Sequence, residues 1–164
     1  MDFYPWVVLI HVLAAFGFAM AHGVSAFAAF AMRSSKEPEA VRTLLGVSSM
    51  SLGVFYISLL VLLIAGITAA VMHGWFGQAW PWAAIGVVVV VIAAMYAMAS
   101  RYYATVRSAV GLPSMNDKKG EPPPAPVSNE ELVRILDTRR PEALAGIGVV
   151  GFAVLVWLMV LKPF

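Results

Sequence analysis

The stretch YPWVVLIHVLAAFGFAMAHGVSAFAAFAM, residues 4–32, decides the fold class of this sequence. It contains no Asp, Glu, Lys or Arg, and a helix that crosses the hydrocarbon core of a bilayer needs about 20 mostly apolar residues. The preceding Met1-Asp2-Phe3 has no positive charge, and the apolar run is longer than the core of a signal peptide. The stretch therefore predicts a transmembrane helix that is retained in the mature protein.

Three further stretches of the same kind follow at about 46–72, 82–100 and 143–161. The second helix is expected to begin early, near Pro38, and the third to continue past the membrane through 101–103 towards Val110. Of the 164 residues, 61% are hydrophobic and 12% are charged, whereas a typical soluble domain carries about 25% charged residues. Backbone polar groups in lipid must pair within their own segment, which favours helices. The sequence predicts an all-α protein, a transmembrane four-helix bundle forming a single domain over residues 1–164.

The positive charges predict the orientation. Ten of the eleven Lys and Arg residues fall in the connection between spans one and two or in the one between spans three and four. Positive loops stay in the cytoplasm, so both termini are expected outside a bacterial inner membrane. Tryptophans map to the outer half: Trp6, Trp75, Trp80, Trp82 and Trp157.

The connection at 111–140 is the one clear segment outside the membrane. A proline-rich linker at 120–126 precedes Ser128, with Glu131 three residues later, which is a helix-capping pattern. Apolar residues then follow on one face: Leu132, Val133, Ile135 and Leu136. We expect a short amphipathic helix on the cytoplasmic membrane surface, acting as a tether for span four or, alternatively, as a docking site for a partner.

Small residues recur four apart in span one, at Ala15, Ala19 and Gly23. This spacing lets transmembrane helices approach closely. It predicts tight helix packing, and the alternative is room for a flat cofactor against the helix.

Three histidines are the main candidates for chemistry. His11 and His22 are eleven residues apart, so they share a helix face and lie roughly 16 Å apart along the axis. His73 ends span two, near the expected depth of His11. An ionisable side chain inside a span is costly and is by default a functional hypothesis.

Three interpretations of these histidines remain open. In the first, His11 and His73 are axial ligands of a haem b or bind a metal near the outer face. In the second, imidazole and thioether groups hold copper, either His11, His73, Met72 and Met159 at the outer end or His22 with Met20, Met50, Met95 and Met98 farther in. In the third, each ring is neutral and bonds to a helix carbonyl or to a hydroxyl of Ser48, Ser49, Ser51 or Ser58.

Several classes of function are disfavoured by composition. The chain has no Cys, so disulfides and thiolate metal sites are excluded. No carboxylate lies inside a span, which argues against a carboxylate proton relay. There is no Gly-rich phosphate loop, and the positive-inside pattern accounts for the basic residues without nucleic-acid binding.

The residues Ile10–Gly17 (IHVLAAFG) and Ala21-His22-Gly23 resemble the first span of small, uncharacterised four-span bacterial membrane proteins. Ser51–Val54 (SLGV) and the ending Trp157–Phe164 (WLMVLKPF) fit the same group. These proteins are distantly similar to the copper-resistance D group of membrane proteins. The resemblance implies a four-helix bundle in the inner membrane and a link to copper or haem, and it assigns no reaction.

Together these observations favour a small, non-enzymatic membrane subunit that holds a metal or haem near His11 and His73. The alternatives are a haem b redox protein and a small transporter or channel. The expected partners are the lipid bilayer and either another membrane protein or further copies of the chain, with no nucleic acid.

Overall fold

The computed structural model describes residues 2–35, 37–114, 117 and 122–164. All regular elements within these ranges are helical, which confirms the predicted all-α class. Four segments are long and apolar enough to cross a membrane, and the chain is a multi-pass membrane protein. The helices are α1 (Tyr4–Ser34), α2 (Pro38–Met72), α3 (Ala79–Ala109), α4 (Asn129–Leu136) and α5 (Arg140–Leu161), with a 3-10 turn at Trp75–Gly77.

The long helices extend beyond the predicted spans. α2 begins at Pro38, as expected, since proline is tolerated in the first turn of a helix. α3 covers Ala79–Ala109, which confirms that it continues past its apolar run at 82–100 towards Val110. Its last turns bury Tyr102 and Val106 against other helices. The apolar runs therefore identified the membrane-crossing portions, whereas each helix continues for as long as protein packing supports it.

The transmembrane helices form two antiparallel pairs. α1 packs along α2, and α3 packs along α5, while contacts between the pairs are fewer. Two glycines permit close approach: Gly17 lies against Ser58 across α1 and α2, and Gly151 lies against Val91 across α3 and α5. Gly23, by contrast, has no neighbour within 4 Å of the position that a Cβ would occupy. The predicted small-residue seam therefore does not extend to Gly23.

The two ends of the bundle differ in chemistry. We call the end that carries Arg33, Arg42 and Arg140 the basic end, and the end that carries Trp75 and Trp80 the tryptophan end. At the basic end, Arg33 of α1 forms ion pairs with Glu142 of α5 and, at 3.7 Å, with Asp137. These pairs connect the two helix pairs outside the apolar region.

A compact core at the basic end joins α1, α2 and α3 with the short helix α4, and α5 contributes no member to it. Its buried members come from α1, α2, α3 and α4 and from the residue after α3: Ala29, Met32, Val41, Leu45, Tyr102, Val106, Ala109, Val110, Leu132 and Leu136. The linker is held by a 3.0 Å bond from the Val127 N–H to the Ala109 carbonyl. The core thus ties the two helix pairs together at one end.

The short helix α4 docks on protein, which corrects the expectation that it lies on the membrane surface. Leu132 and Leu136 are each 1% exposed. Ser128 accepts a 3.3 Å bond from the Glu131 N–H, as the capping pattern predicts. The Glu131 carboxylate, however, accepts from Arg134 instead of returning to the Ser128 backbone. The apolar face of α4 is buried because the ends of α1, α2 and α3 present an apolar surface beside it.

Candidate functional site

His11 lies in the seam between α1 and α2. Its Nδ1 is 2.9 Å from the Leu62 carbonyl oxygen. A carbonyl only accepts, so Nδ1 is the donor in this bond and Nε2 is the ring nitrogen left for another partner. A Cβ on Gly66 would lie 2.9 Å from His11 Cε1, so the absence of a side chain at Gly66 makes room for the ring. This bond agrees with the interpretation that His11 is held by a helix carbonyl.

His73 is the exposed residue that follows α2 at the tryptophan end. Its ring centroid is 4.0 Å from that of Tyr4, edge to face, and 5.0 Å from that of Trp75, stacked. The Lys162 ammonium lies 3.9 Å from the Trp75 ring centroid, a cation–π contact. His73 is therefore one member of an aromatic cluster that joins α1, α2 and the C-terminal residues.

The predicted ligands His11, His73, Met72 and Met159 lie in different surroundings. Tyr4, which contacts His73, precedes His11 by seven residues, roughly 10 Å along α1. Met72 is exposed, and Met159 packs beside Trp80 and Leu158 at the α3–α5 seam. Within the described ranges, no three His, Asp or Glu side chains are grouped in a way that could hold a metal ion. The haem or metal site at His11 and His73 stays a prediction.

His22 connects the two helix pairs near the middle of α1. Its imidazole lies against the backbone of Gly148 on α5, and the Phe18 ring is stacked at a centroid distance of 6.5 Å. Nε2 is buried and has no hydrogen-bond partner among the described residues. None of the hydroxyls proposed as histidine partners bonds to a described histidine: Ser48 and Ser51 belong to the network described next, Ser49 is exposed and Ser58 faces Gly17.

A polar network of three serines and Tyr103 joins α1, α2 and α3 above the core of the basic end. The Ser25 and Ser51 hydroxyls are 2.7 Å apart, and Ser51 donates to the Ser48 carbonyl at 2.8 Å. Ser48 donates to the Tyr103 hydroxyl at 3.4 Å, which in turn donates to the Ser25 carbonyl at 3.3 Å. Such interhelical bonds are each worth about 0.6–2 kcal/mol in membranes. The network therefore helps to position α3 against the first helix pair.

Two further tyrosines, which the sequence analysis did not single out, lie inside the spans with their side chains uncovered. Tyr56 of α2 is 61% exposed and Tyr96 of α3 is 69% exposed. Neither hydroxyl forms a hydrogen bond with any described residue. A sequence signal existed, because tyrosine belongs at the interfacial ends of spans, whereas these two lie within the predicted spans 46–72 and 82–100.

The two tyrosines lie at nearly the same height. Tyr96 is seven residues from Tyr103, roughly 10 Å along α3 and within about 20° of the same helix face. Tyr56 is eight residues from Ser48, roughly 12 Å along α2 and about 80° around it. Ser48 and Tyr103 are hydrogen-bonded and α2 and α3 run antiparallel, so these similar steps place Tyr56 and Tyr96 at nearly the same height.

Exposed aliphatic side chains surround the tyrosines at helical spacing. We define the α2–α3 face by its six exposed residues, Leu52, Tyr56 and Leu60 on α2 and Val89, Ile92 and Tyr96 on α3. The spacings of three and four residues keep each triplet on one side of its helix. Apart from the two phenol oxygens, which lie at one level, these six side chains are apolar.

Comparison with known proteins found no matching family model and no significantly similar curated protein or solved structure. The resemblance to the copper-resistance D group stays a prediction.

Proposed function

We propose that this protein is a non-enzymatic subunit of a membrane complex, and that another transmembrane segment packs on its α2–α3 face. The observation that carries the proposal is the pair of uncovered hydroxyls on Tyr56 and Tyr96. The proposed setting is a bacterial inner membrane with both termini outside, as the distribution of Lys and Arg favours.

The medium around a hydroxyl decides whether the hydroxyl needs a partner from protein. Water satisfies a hydroxyl at a soluble surface, but the hydrocarbon core of a bilayer offers neither donor nor acceptor. Ser25, Ser48, Ser51 and Tyr103 are paired within the chain, whereas the buried His22 Nε2 and Tyr102 hydroxyl have no partner among the described residues. Unlike those two enclosed groups, the exposed phenols of Tyr56 and Tyr96 can reach a partner that supplies hydrogen-bonding groups at their depth.

The test replaces Tyr56 and Tyr96 together by Phe, which removes two oxygens and leaves the rings. We expect the wild-type protein to elute from a mild detergent as a complex, and the double variant to shift towards the mass of a single chain. The matched control is Met20→Leu, because Met20 of α1 is 67% exposed but lies on a different helix. A wild-type protein that is monomeric in detergent and in lipid nanodiscs would refute the proposal.

A haem- or copper-binding role is the second candidate, supported by the geometry of His11. Metal-bound histidines commonly donate their other ring N–H to a carbonyl, which orients the free nitrogen. His11 has this arrangement through Leu62. An absorption spectrum of the purified protein, oxidised and reduced, with elemental analysis would test it. A Soret band or stoichiometric copper that disappears in His11→Ala and in His73→Ala supports this role, and a cofactor retained in both variants refutes these ligands.

A further inference from the structure

We infer that the partner on the α2–α3 face is a second copy of this chain, related to the first by a two-fold axis along the membrane normal. The inference rests on the proposed function, since it names the segment that covers the same face. It adds a specific pairing, in which Tyr56 of each copy meets Tyr96 of the other copy.

The equal height of the two tyrosines is the geometric basis. A two-fold axis along the membrane normal leaves the depth of every atom unchanged and makes the contact reciprocal, so that residue i meets j and j meets i. Tyr56 and Tyr96 are roughly 12 and 10 Å from the Ser48–Tyr103 bond along their helices. The axis therefore keeps Tyr56 of one copy and Tyr96 of the other at one level, and a contact through this face pairs them twice in each dimer.

Tyr56 and Tyr96 can satisfy each other's hydroxyl. A phenol both donates and accepts, so a Tyr56–Tyr96 contact across the axis gives each hydroxyl a partner without a third group. A lipid chain offers no such atom at this depth. A different protein would have to place two polar groups at the matching level, whereas a second copy carries both of them already.

The rest of the face suits self-association. Leu52, Leu60, Val89 and Ile92 are exposed aliphatic residues that would pack against their symmetry mates. The predicted spans 46–72 and 82–100 contain no Asp, Glu, Lys or Arg, so no like charges are brought together inside the membrane. Polar residues facing one another between transmembrane helices stabilise association alongside such packing.

The sequence contains no Cys, which makes disulfide mapping direct. Two differently tagged chains, Tyr56→Cys and Tyr96→Cys, would be expressed together in membranes and oxidised. We expect the mixed 56–96 disulfide to form at least about threefold more than either 56–56 or 96–96. Met20→Cys, on α1 with a similar exposure, is the control and should form little dimer. Equal crosslinking at 20, 56 and 96 would indicate random collision and would overturn the inference.

A photo-reactive amino acid at position 56 in native membranes separates this inference from the proposed function. An adduct of twice the 17.6 kDa chain mass supports the second copy. An adduct with a protein of another mass only would overturn the second copy and leave the proposed subunit role standing. Adducts with lipid only would overturn both.

Discussion

The imidazole of His22 on α1 lies directly against Gly148 on α5, and its Nε2 is enclosed without a hydrogen-bond partner among the described residues. This contact connects the two helix pairs inside the membrane, away from the core at the basic end. A side chain at position 148 would occupy the volume that the ring now fills.

Gly148→Ala is expected to destabilise the protein. The added Cβ would overlap His22 Nε2, so α1 and α5 must separate or the ring must turn. Overpacking of this kind costs about 1–3 kcal/mol. Thermal unfolding in detergent should show a midpoint lowered by several degrees.

The matched control is Gly146→Ala on the same helix, where a Cβ would have no neighbour within 4 Å. That change should be neutral or slightly stabilising, because Ala is the better helix former. Adding His22→Ala to Gly148→Ala should recover part of the loss. Equal effects at 146 and 148 would contradict the His22–Gly148 contact.

Gly66→Ala tests the placement of His11. The new Cβ would lie 2.9 Å from His11 Cε1, so the ring must move away from the Leu62 carbonyl and lose its 2.9 Å bond. We expect a lower unfolding midpoint, with a loss of about 1–3 kcal/mol. Gly53→Ala on the same helix has open space around it and should leave stability unchanged. If Gly66→Ala is as stable as Gly53→Ala, His11 is not held in this seam.

Leu136→Ala tests whether α4 holds the basic end together. Leu136 is almost fully buried in the core of the basic end, and truncating such a leucine costs about 2–5 kcal/mol. The variant should unfold at lower temperature and expose the linker at 122–128 to limited proteolysis. Val133→Ala, on the exposed side of α4, should behave like wild type to within about 0.5 kcal/mol. Protease resistance unchanged in Leu136→Ala would show that α4 is not needed as a tie.

Reporter fusions test the proposed orientation. A periplasm-active reporter joined after Gly77 should be active, and the same reporter joined after Lys119 should be inactive, because Lys and Arg are concentrated in the connections on the side of Lys119. A cytoplasm-active reporter should give the reverse result. Activity of one reporter at both positions would refute the four-span topology.

The number of helices and their membrane-crossing portions could be predicted because each depends on the composition of a continuous segment. Residues 4–32 form a continuous apolar run that contains no Asp, Glu, Lys or Arg, which favours a helix if they lie in lipid. The early start of α2 at Pro38 and the continuation of α3 to Ala109 could be predicted as well. The burial of Tyr102 and Val106 could not, since it depends on neighbours that lie far away in sequence.

For the candidate site, the sequence indicated the residues but not their partners. His11, His22 and His73 could be selected from sequence because an ionisable group in a span is unusual, and the structure places them against Leu62, Gly148 and Trp75 respectively. Hydrogen bonding of a histidine to a carbonyl could be anticipated as a class, but its partner could not. Tyr56 and Tyr96 could have been selected as tyrosines inside predicted spans, but their exposure could not be predicted because it depends on how the helices pack.

By itself, the sequence determined that this chain forms four apolar helices, that its Lys and Arg lie in alternate connections, and that Ser128 caps a short amphipathic helix. These properties are local, since they depend on side-chain hydrophobicity, charge and capping within a few turns. Only the tertiary structure decided that α4 buries Leu132 and Leu136 on protein, that His22 rests on Gly148, and that two tyrosines share one level. Those outcomes depend on the rotation and spacing of helices, which are set by side-chain packing between segments distant in sequence.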